Sequence, residues 1–297
     1  MASRYSTASL LSAIKANISV PEFQSRFTDN NLLAFADEFI SSELVPALVN
    51  LNVELFIVSD DVPVISGQKK YLIPNRAISR SLRSVRWNEG RFLGYANPED
   101  SFMHNNVVGE PQVVSFIGDY FLPQPIPSTG TLNIAYACLV SKLVKESNCI
   151  KVSTFNLNNN IIQAVSIPSS FEVGTICDLV SQDGRIIARD ISITDITSPN
   201  ITVSALSNEI KAGDFLCVAQ ESCILTLPLE VIPAIVKKVC CKILSSQTDS
   251  EAFGICNAEF NQIWTMCKTA MSPKLVNQTP KIKPSPFLRS QKVRNWR

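Results

Sequence analysis

Between Leu227 and Met271 the apolar residues recur at spacings of three and four. Ile232, Ile235, Val236, Val239 and Ile243 form one stripe, and Phe253, Cys256, Phe260, Ile263, Trp264, Cys267 and Met271 form a second. The polar break Ser245-Ser246-Gln247-Thr248 separates them. This predicts two helices packed as a hairpin, the first opening at Pro228 with Glu230 in its first turn, the second capped by Asp249. A comparable stripe lies near the other end of the chain. Leu32, Phe35, Ala36, Phe39, Ile40 and Leu44 follow the N-cap pair Thr28-Asp29, and this helix is predicted to end before Pro46. Residues 4–17 form a weaker helical pattern stopped by Pro21. Neither stripe can bury its apolar face alone, so a bundle that joins both chain ends is expected, with Phe35, Phe39, Ile235, Val239, Phe260 and Trp264 in its core.

From Leu51 to Thr226 the period shortens to two, or to brief apolar runs broken by Gly, Pro, Asn and Asp. Strands are predicted at Leu55–Val58, Val62–Ile65, Tyr71–Ile73, Val113–Phe116, Tyr120–Leu122, Leu132–Ala137, Thr175–Val180, Ile186–Arg189, Ile191–Ile196, Ile201–Val203, Phe215–Val218 and Ile224–Leu227. Gly118-Asp119 and Asp183-Gly184 are turns, and Asp60-Asp61 reads as one too. The fold class is therefore α+β: terminal helices forming a bundle, and an inserted antiparallel β domain that is a sandwich or partly open barrel. The expected organisation is residues 1–50 (N-terminal helices), 51–226 (β insertion), 227–271 (helical hairpin) and 272–297 (extended tail). That tail carries Lys274, Lys281, Lys283, Arg289, Lys292, Arg294 and Arg297 with no acid among them, plus four prolines that exclude a helix. It is expected to order against a partner, with Val276, Ile282, Phe287, Leu288 and Trp296 as apolar anchors.

Composition adds limits. Among 297 residues, 27 Lys and Arg face 26 Asp and Glu, so no overall field gathers nucleic acid or an acidic membrane. No run reaches membrane-spanning length, and the apolar stretch at Leu10-Leu11 is too short for a signal peptide. The nine cysteines include no CxxC and sit mostly in apolar runs, which reads as free buried thiols in a reducing compartment. Zinc is disfavoured on spacing. The single histidine, His104, lies in a polar stretch, and ten glycines supply neither GxGxxG nor a P-loop. The residues thus point away from an enzyme, with no cofactor or metal expected. Arg76, Arg80, Arg83 and Arg86 form a basic run that reads as a solvated or subunit-contact face rather than a nucleic-acid site.

The order of several short patterns resembles the adaptor, or head-to-tail connector, proteins of tailed bacteriophages. These are Ala34-Phe35-Ala36-Asp37-Glu38 in the helix from Leu32 to Val45, Gly67-Gln68, Tyr71-Leu72-Ile73-Pro74 leading into Arg76-Ala77-Ile78, and Leu82-Arg83-Ser84-Val85. Gly118-Asp119, Leu122-Pro123-Gln124-Pro125, Leu132-Asn133-Ile134-Ala135-Tyr136, Leu227-Pro228-Leu229-Glu230 and Met271-Ser272-Pro273 complete the series. The resemblance implies a virion neck protein, assembled in the host cytoplasm, that forms a homo-oligomeric ring, usually a dodecamer, beneath the portal. It implies portal protein and tail or nozzle proteins as partners, and a lumen through which DNA passes at ejection without sequence-specific binding. The tail would then dock on the portal through Lys281, Lys283, Phe287, Leu288, Arg289 and Trp296. The high cysteine count is not part of the likeness. An alternative from a different class is a glycan- or receptor-binding β module, for which Trp87, Phe92 and Tyr95 are the candidate aromatic cluster.

Overall fold

The computed structural model describes residues 6–18, 27–88, 90–101, 107–246 and 250–272. It is a mixed α+β protein with several antiparallel sheets, one closed six-stranded barrel and two helices near the C-terminus. Helices are α1 (Thr7–Ile18), α2 (Asp29–Phe39), α3 (Val45–Leu51), a single turn α4 (Pro98–Ser101), α5 (Ile232–Ser246) and α6 (Ser250–Met271). The amphipathic stripes decide how they pack. Leu10 and Ile14 of α1, Leu32, Ala36 and Phe39 of α2, Ile235, Val239 and Ile243 of α5, and Cys256 and Phe260 of α6 belong to one buried cluster. α5 is the centre of this layer, touching α1, α2 and α6. Phe39 meets Phe260 edge-on at 5.7 Å and Trp264 at 6.4 Å, an arrangement favoured by the ring quadrupoles. Around the rim Lys238 pairs with Glu43 at 2.8 Å and Lys237 with Glu259 at 2.7 Å, while Lys242 pairs with Glu38.

Two helix boundaries differ from expectation. Thr28 caps α2, its hydroxyl accepting the Asn31 N–H at 3.4 Å, but the helical path does not stop before Pro46. It widens into a π turn at Ile40–Leu44, in which the Val45 N–H reaches the Ile40 carbonyl, and resumes as α3 with Pro46 in its first turn. There a proline has no helical donor to lose, and the clash it would cause in a continuous helix is avoided. The Ser41 and Ser42 hydroxyls both donate to the Glu38 carbonyl, satisfying it within the widened turn. At the other end, Leu229–Val231 is a 3-10 turn, so α5 begins at Ile232, later than the sequence pattern suggests.

The β region has two main cores rather than one. In the first, β1 (Ile57–Pro63), β8 (Thr131–Ala137), β3 (Ser84–Trp87) and β4 (Arg91–Phe92) form one sheet, in that order. β2 (Tyr71–Leu72), β7 (Tyr120–Gln124), β6 (Val113–Ile117) and β5 (Gly94–Tyr95) form the other. Tyr71, Val85, Val114, Phe121, Leu132, Ile134 and Tyr136 fill the space they share. The β6–β7 hairpin pairs Ile117 with Tyr120 across a two-residue turn in which Gly118 takes φ 56°, a conformation that glycine adopts without a Cβ penalty. Asp60-Asp61 is not a turn. Both residues lie in β1 opposite Ile134 and Asn133, with Asp61 accepting an Asn133 N–H at 2.8 Å and Asp60 accepting the Tyr136 hydroxyl.

The second core is a barrel, and it is closed rather than partly open. β10 (Ile150–Asn156), β11 (Ile161–Ala164), β14 (Asn200–Val203), β13 (Ile186–Thr197), β12 (Ile176–Val180) and β15 (Phe215–Val218) run in that order and back to β10. Closure leaves no unpaired edge. Ile150, Ile162, Leu179, Ile193, Ile201 and Leu216 fill it. A short parallel pair, β9 (Lys142–Leu143) with β16 (Glu221–Ser222), binds the chain where it passes between helices and barrel. The predicted strand at Ile224–Leu227 is instead a buried extended segment, which meets the start of α1 through the Ser6–Ile224 bridge and the Thr7 N–H to Cys223 carbonyl bond.

Candidate functional site

The most strongly built polar cluster lies between the two β cores. The Arg76 guanidinium is 4% exposed and Asp178 is fully buried, so neither charge is tolerable without a partner. Arg76 donates twice to Asp178, at 2.7 and 2.8 Å, and once to Asp190 at 2.8 Å. Asp178 also accepts the backbone N–H groups of Asp190 at 3.1 Å and Gln220 at 3.0 Å. The position of Asp190 depends on a local irregularity: the β12–β13 register slips by one residue between Cys177 and Leu179, and Asp190 takes φ 54°. That bulge turns the Asp190 carboxylate toward Arg76. Burial alone would lower the arginine's pKa, but the hydrogen bonds and charge of Asp178, with Asp190 behind them, hold it above the usual range.

The other three arginines of the basic run are also committed. Arg80 pairs with Asp119, Arg83 with Glu54 at 2.5 Å, and Arg86 lies over the Phe92 ring at 4.1 Å. They do not line one face of a strand. Arg76 and Arg80 fall in turns, where Ser79 and Arg80 have positive φ, and only Arg86 lies within β3. The run is thus a set of separate clamps.

A second cluster joins helices to sheet. Asp37 on α2 reaches across to β9, its Oδ1 accepting the Leu143 N–H at 2.9 Å, while its buried Oδ2 has no hydrogen-bond partner among the described residues. Desolvation pushes its carboxyl up to about 6, against the lowering effects of the Leu143 bond and of Lys142; Glu221 adds to the rise. The carboxyl borders a largely apolar cleft of about 280 Å³ lined by Ile40, Val45, Leu139 and Val140.

The thiols form the third group. All nine cysteines are buried and free. Cys149, Cys217 and Cys223 are far apart in sequence, yet their sulfurs lie within 4.8 Å of one another in a small apolar core with Phe215 and Ile224. Hydrogen bonds from Cys217 and Cys223 draw the Cys149 thiol down to about 5, while the Cys223 thiol is pushed up. Three soft sulfurs suit a thiophilic ion, but zinc takes four ligands and no histidine or carboxylate completes this set among the described residues. Spacing in the sequence gives no hint of this trio, because the barrel assembles it.

Of the helix-core residues named from sequence, Phe39, Ile235, Val239 and Phe260 are buried, and Phe35 and Trp264 pack partly buried against them. Of the aromatic cluster, Trp87 is half-buried against the sandwich core, while Phe92 and Tyr95 are 58% and 69% exposed, Tyr95 stacking on Phe116 at 5.8 Å. The tail residues Lys281, Lys283, Phe287, Leu288, Arg289 and Trp296 lie outside the described residues, as do His104 and Asp249. No family model matches the sequence, and no curated protein matches it. Among the described residues no helix is long and apolar enough to cross a membrane.

Proposed function

We propose that this chain is a structural adaptor of a virion neck, a ring-forming protein that joins a portal to a tail and has no catalytic role. The observation that carries the reading is the shared core of α1, α2, α5 and α6. It gathers both chain ends into one helical layer, read here as a bundle, with the β residues inserted between them. Such a layer is suited to stacking side by side in a ring, while the sandwich and barrel extend its reach toward neighbours above or below. α6 ends at Met271, which is still packed on that layer. The tail from residue 272 thus starts from the bundle, and we assign it the portal contact through Lys281, Lys283, Phe287, Leu288, Arg289 and Trp296. Its unopposed positive charge would steer it to an acidic surface, and repetition around a ring would multiply weak single contacts. DNA would pass through the lumen without base readout.

Negative-stain microscopy of the purified chain, alone and mixed with portal particles, tests this. Rings or portal decoration are expected, and a chain truncated at residue 272 should keep its circular dichroism and melting while losing portal binding. A full-length chain that stays monomeric and does not decorate portals would overturn the proposal. The exposure of Phe92 and Tyr95 favours one other reading, a glycan- or receptor-binding β module. Binding to a glycan array that is lost in Phe92→Ala and Tyr95→Ala variants would select it.

A further inference from the structure

Cys241 on α5 and Cys256 on α6 face each other across the helical hairpin, with their sulfurs 2.7 Å apart. That separation is shorter than the 3.7 Å from the Cys256 sulfur to the Lys237 carbonyl, and a disulfide bond needs the pair to close by less than about 1 Å more. Both side chains are buried, at 2% and 5% exposure. Each nevertheless borders a surface cleft. Cys241 lines one of about 260 Å³ with Phe35, Phe253 and Lys242, and Cys256 lines one of about 270 Å³ with Lys237 and Glu259. A small neutral reagent therefore has a route to the sulfurs that a bulky one lacks, while burial pushes the Cys241 thiol up to about 12, so the reaction is run at mildly alkaline pH.

We infer that Cys241 and Cys256 are a cross-link site, a dithiol that small two-electron oxidants convert to a disulfide joining α5 to α6. The azo compound diamide serves as the probe. The Cys256 sulfur adds to its N=N bond, and the Cys241 sulfur then displaces the hydrazide from the Cys256 sulfur, forming S–S. The two thiol protons end on the reduced hydrazine, so two electrons and two protons pass from protein to reagent. Closing this short loop restricts the unfolded chain and raises the melting temperature. The site stands apart from the adaptor reading, because it depends only on the hairpin.

The experiment treats folded full-length protein with diamide, blocks the remaining thiols with N-ethylmaleimide, and maps the digest by mass spectrometry. A cross-linked peptide pair holding residues 241 and 256 is expected, together with a rise in melting temperature of roughly 5 °C that dithiothreitol reverses. Because Cys240 shares the Cys241 peptide, Cys240→Ser should retain the link and Cys256→Ser should abolish both link and shift. The proposal is overturned if both thiols remain open to alkylation after treatment, if Cys256 links to Cys240, or if cross-links arise only within Cys149, Cys217 and Cys223.

Discussion

The two joints that hold this molecule together are built on opposite terms. Where sandwich meets barrel, Asp178 is fully buried and accepts four hydrogen bonds, two from the Arg76 guanidinium and two from backbone N–H groups. Where helices meet sheet, Asp37 accepts one, and its second oxygen is buried without a partner among the described residues. The first joint balances a buried charge with another charge in forked geometry. The second leaves a carboxyl partly uncompensated, so its ionisation near neutrality works against the fold. A satisfied buried charge fixes one arrangement of the two β cores, whereas an unsatisfied one makes the helix contact sensitive to pH.

The comparison predicts its own largest effect. Arg76→Ala would leave Asp178 in the interior with no counter-charge, and should cost about 3–5 kcal/mol. Denaturant titration at pH 8, where an uncompensated carboxylate costs most, should show that loss. A small loss would mean that the β joint is not charge-locked. The helical layer, by contrast, is held by shape. Phe260→Ala removes a ring that touches Phe39 edge-on, and should cost about 3 kcal/mol, at the low end of the usual range because the Lys238 stem can settle into the gap. That cost should be insensitive to added salt, and near-unchanged melting would show that the chain ends do not share a core.

How much of this was legible in the sequence follows from the range of each interaction. The stripes on α2, α5 and α6, the Thr28 cap and the β6–β7 hairpin are local, and period and turn chemistry disclose them. Pro46 misled because the rule that a proline ends a helix does not anticipate a π turn that places it in a fresh first turn. Asp60-Asp61 misled because acidic pairs favour turns, whereas here cross-strand partners Tyr136 and Asn133 take up both carboxylates. The buried polar groups were the least visible. Arg76 meets Asp178 and Asp190 only through a strand bulge more than a hundred residues away, and the Cys149, Cys217 and Cys223 sulfurs meet only once the barrel closes. Asp37 stood in plain view within Ala34-Phe35-Ala36-Asp37-Glu38, but an acid on an amphipathic helix ordinarily faces water, and nothing local shows that β9 covers this one.

The smallest of the expected effects discriminates best between the joints. Asp37 has a folded pKa of about 6, above the value near 4 of an unfolded aspartate. Below pH ~4 both states hold the proton, and the site adds no penalty. Between about 4 and 6 the folded state keeps a proton that the unfolded state has released, so stability falls as pH rises, and above 6 the full penalty is present. A gap of this size corresponds to at most about 3 kcal/mol, and partial exposure of the side chain reduces that to roughly 1–2. Asp37→Asn removes the charge but leaves an Oδ1 that can accept the Leu143 N–H. The variant should therefore be more stable than the parent by about 1 kcal/mol at pH 8, with the two converging by pH 4. Urea unfolding of both proteins at unit steps from pH 4 to 8 measures the difference directly. Parallel profiles would show that Asp37 is compensated after all, and a less stable variant at pH 8 would mean that its charge holds the helix–sheet joint through Lys142, making the two joints alike.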